Sequence, residues 1–457
     1  MAVLASRKRP SPFTGRVDGS VNGHAVRRIA RLVLDRPTEK GATRAMRFHD
    51  TVIHAGRLLA TPGEAPKRGQ SVWIADGKIK SVASGFIDPP TGTRLIDLKD
   101  KFVLPGLIDC HVHLTGQLAA DSRLRLVEDS DPKIALDAAQ RARVTLAAGF
   151  TTVRDLGARP PEVIYALRAA IADGKVPGPR ILCVGAILSP TGGHGQIYGY
   201  RADVCACIQS NIGVCDGADA CRRAVRAQVA QGADAIKFVA TGGVLSNIRA
   251  GIDQQFNDDE IQTIIETAHR LGRRVSAHAH GAAGINAALA AGVDSIEHGT
   301  FLDDQSVELF LEHGASHTPT IIAGMTVLEM AQRSGVLTPA QAEKALEVGK
   351  HIKQALARSY RAGVRITFGT DMGVGQHGQN AREFALMVEA GMTSADAIKA
   401  ATADAAELLD IADVVGSLTP GKSADIIAVD GDPLGDVTEL ERVTFVMSRG
   451  VRATIEA

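Results

Sequence analysis

Short apolar runs alternate with longer amphipathic segments through the middle of the chain. Each run is followed by residues with the apolar spacing of a surface helix, so strand-like and helix-like sequence alternate. This order predicts an α/β fold, a TIM-like (β/α)8 barrel, in which the chemistry lies at the carboxyl ends of the strands. The predicted barrel strands are Leu104–Leu114, Thr151–Gly157, Arg180–Ala186, Ala235–Thr241, Arg274–Gly281, Asp294–Gly299, Ser316–Ile322 and Arg365–Asp371.

The two ends of the chain carry a pattern of short strands and turns. Near the first end, Asp76-Gly77 separates two apolar runs, which is a strong signal for a β-hairpin. A similar pattern returns at Gly416–Val429 and at Arg442–Arg452. We therefore expect residues 46–103 and 415–457 to pair into one small composite β-sandwich domain, and residues 104–414 to form the barrel.

Length and charge narrow the class of protein. The 457 residues allow a barrel of roughly 250 residues or more together with a second unit. Lysine plus arginine and aspartate plus glutamate both number 51, so we expect no nucleic-acid partner. No apolar stretch reaches the roughly 18 residues that a transmembrane helix requires, so we expect no membrane partner either.

Residues 1–45 are rich in arginine and poor in acidic residues. They contain no continuous apolar core of a secretory signal, so we expect a basic, disordered tail with no role in catalysis. A targeting peptide and a start codon placed too far upstream are the alternatives. The rest of the chain fits a cytoplasmic location.

The six cysteines fall into two groups. Cys110 and Cys183 lie in predicted buried strands, where cysteine acts as a small apolar side chain. The other four crowd into one segment without a C-x-x-C pair, and a structural zinc cluster or a disulfide is an open alternative there. Those four are Cys205, Cys207, Cys215 and Cys221.

The first barrel strand ends in His111-Val-His113. Alternation along a strand places residues i and i+2 on the same side, so both imidazoles can face one point, as in half of a metal site. Alone, such a pair is more often two polar residues at a strand end. However, four later strands also end in residues suited to metal ligation, namely Lys237, His278, His298 and Asp371.

This ordered set resembles the binuclear-metal branch of the amidohydrolase superfamily, over about residues 50–455. The resemblance implies a carbamate on Lys237 that bridges two divalent metal ions. It implies that His111, His113 and Asp371 hold one ion, and that His278 and His298 hold the other. A metal-bridging hydroxide would attack a carbonyl carbon, with Asp371 as the catalytic acid and base. Zn2+ is the leading metal on ligand chemistry, although manganese, iron or cobalt suits the same donors.

Two loops indicate the substrate. The Thr-Gly-Gly-His-Gly sequence around His194, and His280 two residues after a strand-end histidine, resemble Xaa-Pro dipeptidase, carboxypeptidase-like and ochratoxinase-like members. In that branch these two positions help to hold the substrate's carboxylate. Dipeptidases often have tyrosine where this chain has His280, which moves the expectation toward the ochratoxinase-like members. We expect hydrolysis of an amide bond to an L-amino acid, in an N-acyl amino acid, a dipeptide with a hydrophobic C-terminal residue, or ochratoxin A.

Two other functions stay open at this point. Imidazolonepropionase-like cyclic amide hydrolases share the barrel, but they typically use one metal and lack the strand-end lysine, so Lys237 argues against them. A non-catalytic scaffold of the same fold would have lost its metal ligands, which are intact here. By analogy with the family, we also expect a homo-oligomer.

Overall fold

The computed structural model describes residues 50–454, except 198, 210, 247–250 and 334–336. The predicted basic tail, residues 1–45, lies outside this range. The strands are β1 (Thr51–Leu58), β2 (Lys67–Ala75), β3 (Lys78–Ser84), β4 (Arg94–Pro105), β5 (Leu107–Val112), β6 (Phe150–Asp155), β7 (Arg180–Cys183), β8 (Ala235–Val239), β9 (Arg274–Ala279), β10 (Ser295–His298), β11 (Ser316–Thr318), β12 (Arg365–Ile366), β13 (Ile426–Val429), β14 (Phe445–Ser448) and β15 (Val451–Arg452).

Helices follow the barrel strands, and a short 3-10 helix spans Val437–Glu441. The helices are α1 (Ser122–Glu128), α2 (Asp131–Ala147), α3 (Pro161–Ala172), α4 (Ala202–Cys207), α5 (Ala218–Gln231), α6 (Asp258–Arg270), α7 (Ala282–Ala290), α8 (Asp304–His313), α9 (Ile321–Gln332), α10 (Pro339–Arg361), α11 (Arg382–Glu389), α12 (Ser394–Ala400) and α13 (Ala403–Leu408).

Strands β5 to β12 form the predicted (β/α)8 barrel. They belong to two parallel groups, β5 to β7 and β8 to β12. Backbone hydrogen bonds close both seams between the groups. The amide of Cys110 donates to the carbonyl of Phe368 at 2.9 Å, and the amide of Leu188 donates to the carbonyl of Lys237 at 2.8 Å. Closure gives hydrogen-bond partners to the backbone groups of the edge strands. It also brings the carboxyl ends of all eight strands to one face of the barrel.

The outer helices pack on the barrel through regular apolar stripes. Helix α6 is an example of how the sequence determines such a helix. Asn257 and Glu260 form a capping box that begins its first turn. Ile261, Ile264 and Ile265 then recur at helical spacing and are buried. The apolar face of this helix is part of a continuous core that includes residues of β8 and β9.

Inside the barrel, a buried ion pair links neighbouring strands. Arg154 of β6 donates from Nη2 to Oε1 of Glu297 in β10 at 2.8 Å, and both side chains are almost fully buried. The same carboxylate oxygen accepts hydrogen bonds from Ser276 and Ser295, each at 2.7 Å. A buried pair of this kind adds little net stability, but loss of either partner leaves an uncompensated charge.

The chain ends form one β-domain, as predicted. All seven of its described strands belong to a single continuous sheet, ordered β15-β14-β13-β4-β1-β2-β3, where we expected a sandwich of two sheets. Both expected hairpins are present. Asp76 and Gly77 join β2 to β3 with φ angles of 50° and 73°, the left-handed pair that a tight two-residue hairpin requires. The domain limits 46–103, 104–414 and 415–457 stay predictions.

Several predicted barrel strands are shorter than expected. The first run divides at Gly106, because Leu104 and Pro105 pair with β13 in the β-domain and the barrel strand begins only at Leu107. A Cβ atom at Gly106 would lie 2.2 Å from Oγ1 of Thr151, so only glycine fits where the chain passes from one sheet to the other. Strand β12 has two residues, and Asp371 follows it in a loop.

All six cysteines are free thiols, so the disulfide alternative does not occur. Cys110 and Cys183 are buried, as predicted. Among the described residues, the groups with metal-binding geometry contain histidine and aspartate and no cysteine.

No helix in the described part of the chain combines the length and apolar character needed to span a membrane.

Candidate active site

The barrel brings the eight predicted site residues to one pocket. The pocket has a volume of about 610 Å³ and lies at the carboxyl ends of the strands. Residues separated by up to 260 positions in the sequence therefore share one cavity. All eight line this pocket: His111, His113, His194, Lys237, His278, His280, His298 and Asp371.

Asp371 lies between the two histidines of the first barrel strand. Its Oδ1 atom is 3.4 Å from Nε2 of His111 and 3.2 Å from Nε2 of His113. The other ring nitrogen of each histidine also has a partner. Nδ1 of His111 is 2.9 Å from Oε2 of Glu297, and Nδ1 of His113 is 2.9 Å from the carbonyl of Gly157. An acceptor at Nδ1 favours the proton there and leaves the Nε2 lone pair for a metal ion.

A second group consists of three histidines from β9, β10 and the loop after β9. The potential ligand atoms of His278, His280 and His298 all lie within 4.8 Å of one another. Nδ1 of His298 is 2.6 Å from Oγ1 of Thr320, and Nδ1 of His280 is 2.8 Å from Oγ1 of Thr300. We predicted His280 as a substrate-binding residue; the structure also places it within ligand distance of the two histidines.

Lys237 lies in the same pocket, close enough to influence residues of both groups. Its charge acts on His111 and on His298, and its side chain is 2% exposed. Its Nζ atom has no hydrogen-bond partner among the described residues. Burial lowers the pKa of Lys237 to about 8. An unpartnered, easily deprotonated amine between metal-binding groups fits a residue that is modified or metal-bound in the working enzyme.

His111, His278, His280 and His298 are neutral near pH 7, which is the form that binds metals. Burial lowers the pKa of His111 to about 4 and that of His280 to about 3. Burial also lowers the pKa values of His278 and His298 well below the ordinary value. His113 differs, because the hydrogen bond and charge of Asp371, the charge of Asp155 and the carbonyl of Gly157 together outweigh burial and raise its pKa.

Asp371 is ionised in this setting. Burial opposes its charge, but His111 and His113 outweigh that effect and hold the pKa of Asp371 below its ordinary value. The two groups therefore supply imidazoles, four of them neutral near pH 7, together with a carboxylate. Such a donor set suits divalent ions of the first transition series, zinc included.

Backbone strain is concentrated at the same place. His298 and Asp371 have φ angles of 72° and 55°, and Thr320, which bonds to His298, has a φ angle of 49°. Non-glycine residues rarely adopt this left-handed region, at a cost of about 1–3 kcal/mol each. Asp371 is held there by its amide, which donates to the carbonyl of His111 at 2.7 Å. Strain of this kind is typical of functional sites.

His194 lies against His278. The rings stack with centroids 4.4 Å apart, and Nδ1 of His194 is 2.5 Å from Oγ of Ser246. A Cβ atom at Gly243 would lie 2.3 Å from the His194 ring, so the ring can occupy this position only because residue 243 has no side chain. The Thr241-Gly-Gly sequence after β8 thus matters to the site for steric reasons.

Some residues of the site were not found from the sequence. Glu297, which bonds to His111, stands next to His298 in Ser295–His298, and a buried acid in a short apolar strand was a usable signal. Thr320, which bonds to His298 from just before α9, and Arg159, which lines the pocket from the loop after β6, gave no signal, because loop sequence does not show where a side chain will lie.

Comparison with known proteins agrees with this geometry. The amidohydrolase family model matches residues 102–453. Ochratoxinase of Aspergillus niger is 35% identical over 428 residues, which cover 88% of this chain and 86% of that protein. A crystal structure of a Xaa-Pro dipeptidase with methionine bound in its active site aligns with a TM-score of 0.82 at 39% identity, over 88% of this chain and 99% of that one.

A prolidase crystallised with N-methylphosphonate-L-proline aligns with a TM-score of 0.81 at 30% identity, over 89% of this chain and all of the other. The family match extends from the end of β4 through the last strand of the β-domain, so it includes the whole barrel and every candidate ligand. The chain therefore belongs to the amidohydrolase family and is a hydrolytic enzyme.

Proposed function

We propose that this enzyme hydrolyses the amide bond between an acyl group and an L-amino acid. The substrates would be N-acyl amino acids or dipeptides with a hydrophobic C-terminal residue, with ochratoxin A as one candidate. The observation that carries the proposal is the placement of Lys237 in one pocket with two metal-binding groups. The similarity to proteins named ochratoxinase and Xaa-Pro dipeptidase supports the choice of bond.

The donor set fits two divalent metal ions, with Zn2+ as the leading candidate. His111, His113 and Asp371 would hold one ion, and His278 and His298 the other. Lys237, carboxylated to a carbamate, would supply oxygens to both; its lowered pKa favours the neutral amine that must react with CO2. When bound, two such ions ionise a water molecule near neutral pH and polarise the substrate carbonyl.

Asp371 handles the proton in this proposal. As a carboxylate it accepts the proton of the attacking water, and it then returns that proton to the departing amine. Its backbone conformation and its contacts with both histidines fix the carboxylate in place before substrate binds. A preorganised base of this kind needs no rearrangement at the moment of reaction.

His194 and His280 would bind the carboxylate of the amino-acid side. In each ring, Nδ1 already contacts a hydroxyl, of Ser246 or of Thr300. The remaining nitrogen is therefore the ring atom left for the substrate. The position of His280 among the metal-binding histidines would place this carboxylate close to the reacting centre.

The outer part of the pocket suits an apolar substrate. Its lining contains several aliphatic side chains. Leu126 and Val127 are exposed to solvent at 38% and 51%, although both line the pocket. Covering them with a hydrophobic acyl or side-chain group would be favourable by about 25 cal/mol per Å² of apolar surface. The other aliphatic lining residues include Leu118, Ile134, Ile208 and Ile212.

An imidazolonepropionase-like ring hydrolysis is the second candidate. This function would leave Lys237 without a role. In the structure, however, Lys237 is buried in the pocket, and its Nζ atom has no hydrogen-bond partner among the described residues. A non-catalytic scaffold, the third alternative, does not apply, because the chain belongs to a family of hydrolytic enzymes and has two groups of side chains that could hold metal ions.

The decisive test is release of phenylalanine from N-acyl-phenylalanines, dipeptides and ochratoxin A, with and without added Zn2+, on protein of measured metal content. Metal-dependent release would support the proposal, and the ranking of acyl groups would separate dipeptidase from ochratoxinase-like activity. Two bound metals per chain with no release from any of these compounds would overturn the proposed substrate class while leaving the metal site in place.

A further inference from the structure

Arg159 lies in the wall of the pocket, four residues after the end of β6. Its backbone amide contacts Oγ1 of Thr115 at 3.4 Å, in the loop that follows the metal-binding histidines of β5. Its guanidinium donates from Nη2 to the carbonyl of Gly195 and, at 3.4 Å, from Nη1 to the carbonyl of Gln209. Arg159 thus reaches from the loop after β6 to the loop that carries His194.

This cation has no carboxylate partner among the described residues. Two other arginines of the pocket wall do have one. Arg125 lies 2.9 Å from Asp121, and Arg141 lies 4.0 Å from Asp137. A guanidinium bonded only to carbonyls keeps its full charge.

Removing an unpaired charge from water costs free energy. Partial burial lowers the pKa of Arg159 to about 10, so the group stays cationic near pH 7 but has less water around it than a fully exposed guanidinium. Poorly solvated charges in proteins are normally paired, and an anion that enters the pocket would supply the pair. In His194 and in His280, Nδ1 already contacts a hydroxyl, so each ring has one further nitrogen that can contact such an anion.

We propose that Arg159 is a specificity-determining residue that pairs with the carboxylate of the substrate's amino-acid part, beside His194. The inference rests on the proposed function, which requires that carboxylate. Gly195, which accepts from Arg159, directly follows His194, so the guanidinium is held against the loop that carries this imidazole. The N–H groups of Arg159 that carry no carbonyl remain for the two carboxylate oxygens, an arrangement that arginine favours.

The test compares N-acyl-phenylalanine with N-acyl-phenylalaninol, in which an uncharged hydroxymethyl group replaces the carboxylate. For Arg159→Gln we expect kcat/KM to fall about 100-fold on the carboxylate substrate, chiefly through KM, and less than about threefold on the alcohol. Arg159→Lys keeps the charge but loses the planar fork, so it should recover part of the loss. Arg270→Gln, at an exposed arginine that does not line the pocket, is the matched control and should leave the ratio between the two substrates unchanged.

Equal losses on both substrates would show that Arg159 only supports the loop of His194, and would overturn the proposal. Unchanged kinetics in Arg159→Gln would overturn it as well. Titration calorimetry with L-phenylalanine and L-phenylalaninol separates this inference from the proposed function, because it needs no turnover. Wild-type protein should bind the carboxylate more tightly, and Arg159→Gln should lose that preference. Absence of cleavage with this binding difference intact would refute the proposed reaction and leave Arg159 as the carboxylate site.

Discussion

Nδ1 of His111 lies 2.9 Å from Oε2 of Glu297, although 186 positions separate the two residues in the sequence. Both are buried, and the other carboxylate oxygen of Glu297 pairs with Arg154 at 2.8 Å. Burial opposes the charge of Glu297, but Arg154, His111 and Lys237 together outweigh it and keep the pKa of this carboxyl far below its ordinary value. Glu297 is therefore a permanent acceptor that fixes the His111 proton on Nδ1.

The first prediction concerns this pair. Glu297→Gln should weaken metal binding by about 10- to 100-fold, because the tautomer of His111 is no longer fixed. It should also destabilise the fold by about 3–5 kcal/mol, because Arg154 loses its counter-charge. Metal content after dialysis and thermal unfolding measure the two effects. Glu266→Gln, on an exposed helix face, is the control, and unchanged metal binding in the Glu297 variant would contradict the prediction.

Lys237 gives the second prediction. Lys237→Ala should abolish activity and remove much of the bound metal, since neither the carbamate nor the amine remains in the pocket. Elemental analysis and the phenylalanine-release assay check this. Lys350→Ala removes an exposed lysine, with 67% of its side chain accessible, and should change neither quantity. Full activity in Lys237→Ala would rule out the carbamate.

The third prediction concerns Asp371. Asp371→Asn keeps the size of the side chain but removes its capacity to take up a proton, so turnover should fall by at least about 100-fold while the fold stays intact. Steady-state kinetics and thermal unfolding test the two parts. Asp304→Asn, whose side chain is 96% exposed, is a control for the chemistry of the substitution. Near-normal turnover in the Asp371 variant would refute its role in proton transfer.

Strand periodicity explains why much of this fold could be predicted. Alternation along the first barrel strand put His111 and His113 on one side, and the order of the strands put Lys237 and His298 at the same face of the barrel. The fold and the composite β-domain followed from such local patterns. The strand ends were less certain, because hydrogen bonds between strands decide where each one stops, as at Gly106.

Contacts that depend on tertiary structure could not be predicted in this way. The pair of Arg154 and Glu297 joins two strands whose spacing in the sequence carries no signal. The left-handed conformations of His298 and Thr320 depend on the surrounding loops, and residues other than glycine adopt this region in only a few per cent of cases. Arg159 looked like an ordinary loop arginine, since its missing partner is visible only once its neighbours are placed.

The fourth prediction is a pH dependence of stability. Glu383 is buried and accepts hydrogen bonds from the amides of Ile321 and Ile322 at the start of α9, but burial outweighs these bonds and raises its pKa to about 8. Between pH 6.5 and 8 the unfolded chain has lost this proton and the folded chain retains it. Stability from this group therefore falls as the pH rises through that window.

Glu383→Gln removes the titration, so its melting temperature should depend less on pH between 6.5 and 8.5 than that of the wild-type protein. Buried histidines such as His111 and His194 bind a proton near pH 6.5 only in the unfolded chain, so they add a slope of opposite sign, but this slope is the same in both proteins. Calorimetric melting at several pH values measures the difference. Parallel curves for the two proteins would contradict the raised pKa of Glu383.

The last prediction tests the packing of His194 on its glycine support. In Gly243→Ala the new Cβ atom would lie 2.3 Å from the His194 ring, so the ring must leave its stack on His278. KM for N-acyl amino acids should then rise by about tenfold or more, with metal content little changed, because His194 would bind substrate and not metal. Gly435→Ala is the control, since its nearest neighbour would be 3.6 Å away and the glycine is exposed. A rise in KM together with loss of metal would instead assign His194 to the support of His278, and an unchanged KM would remove it from substrate binding.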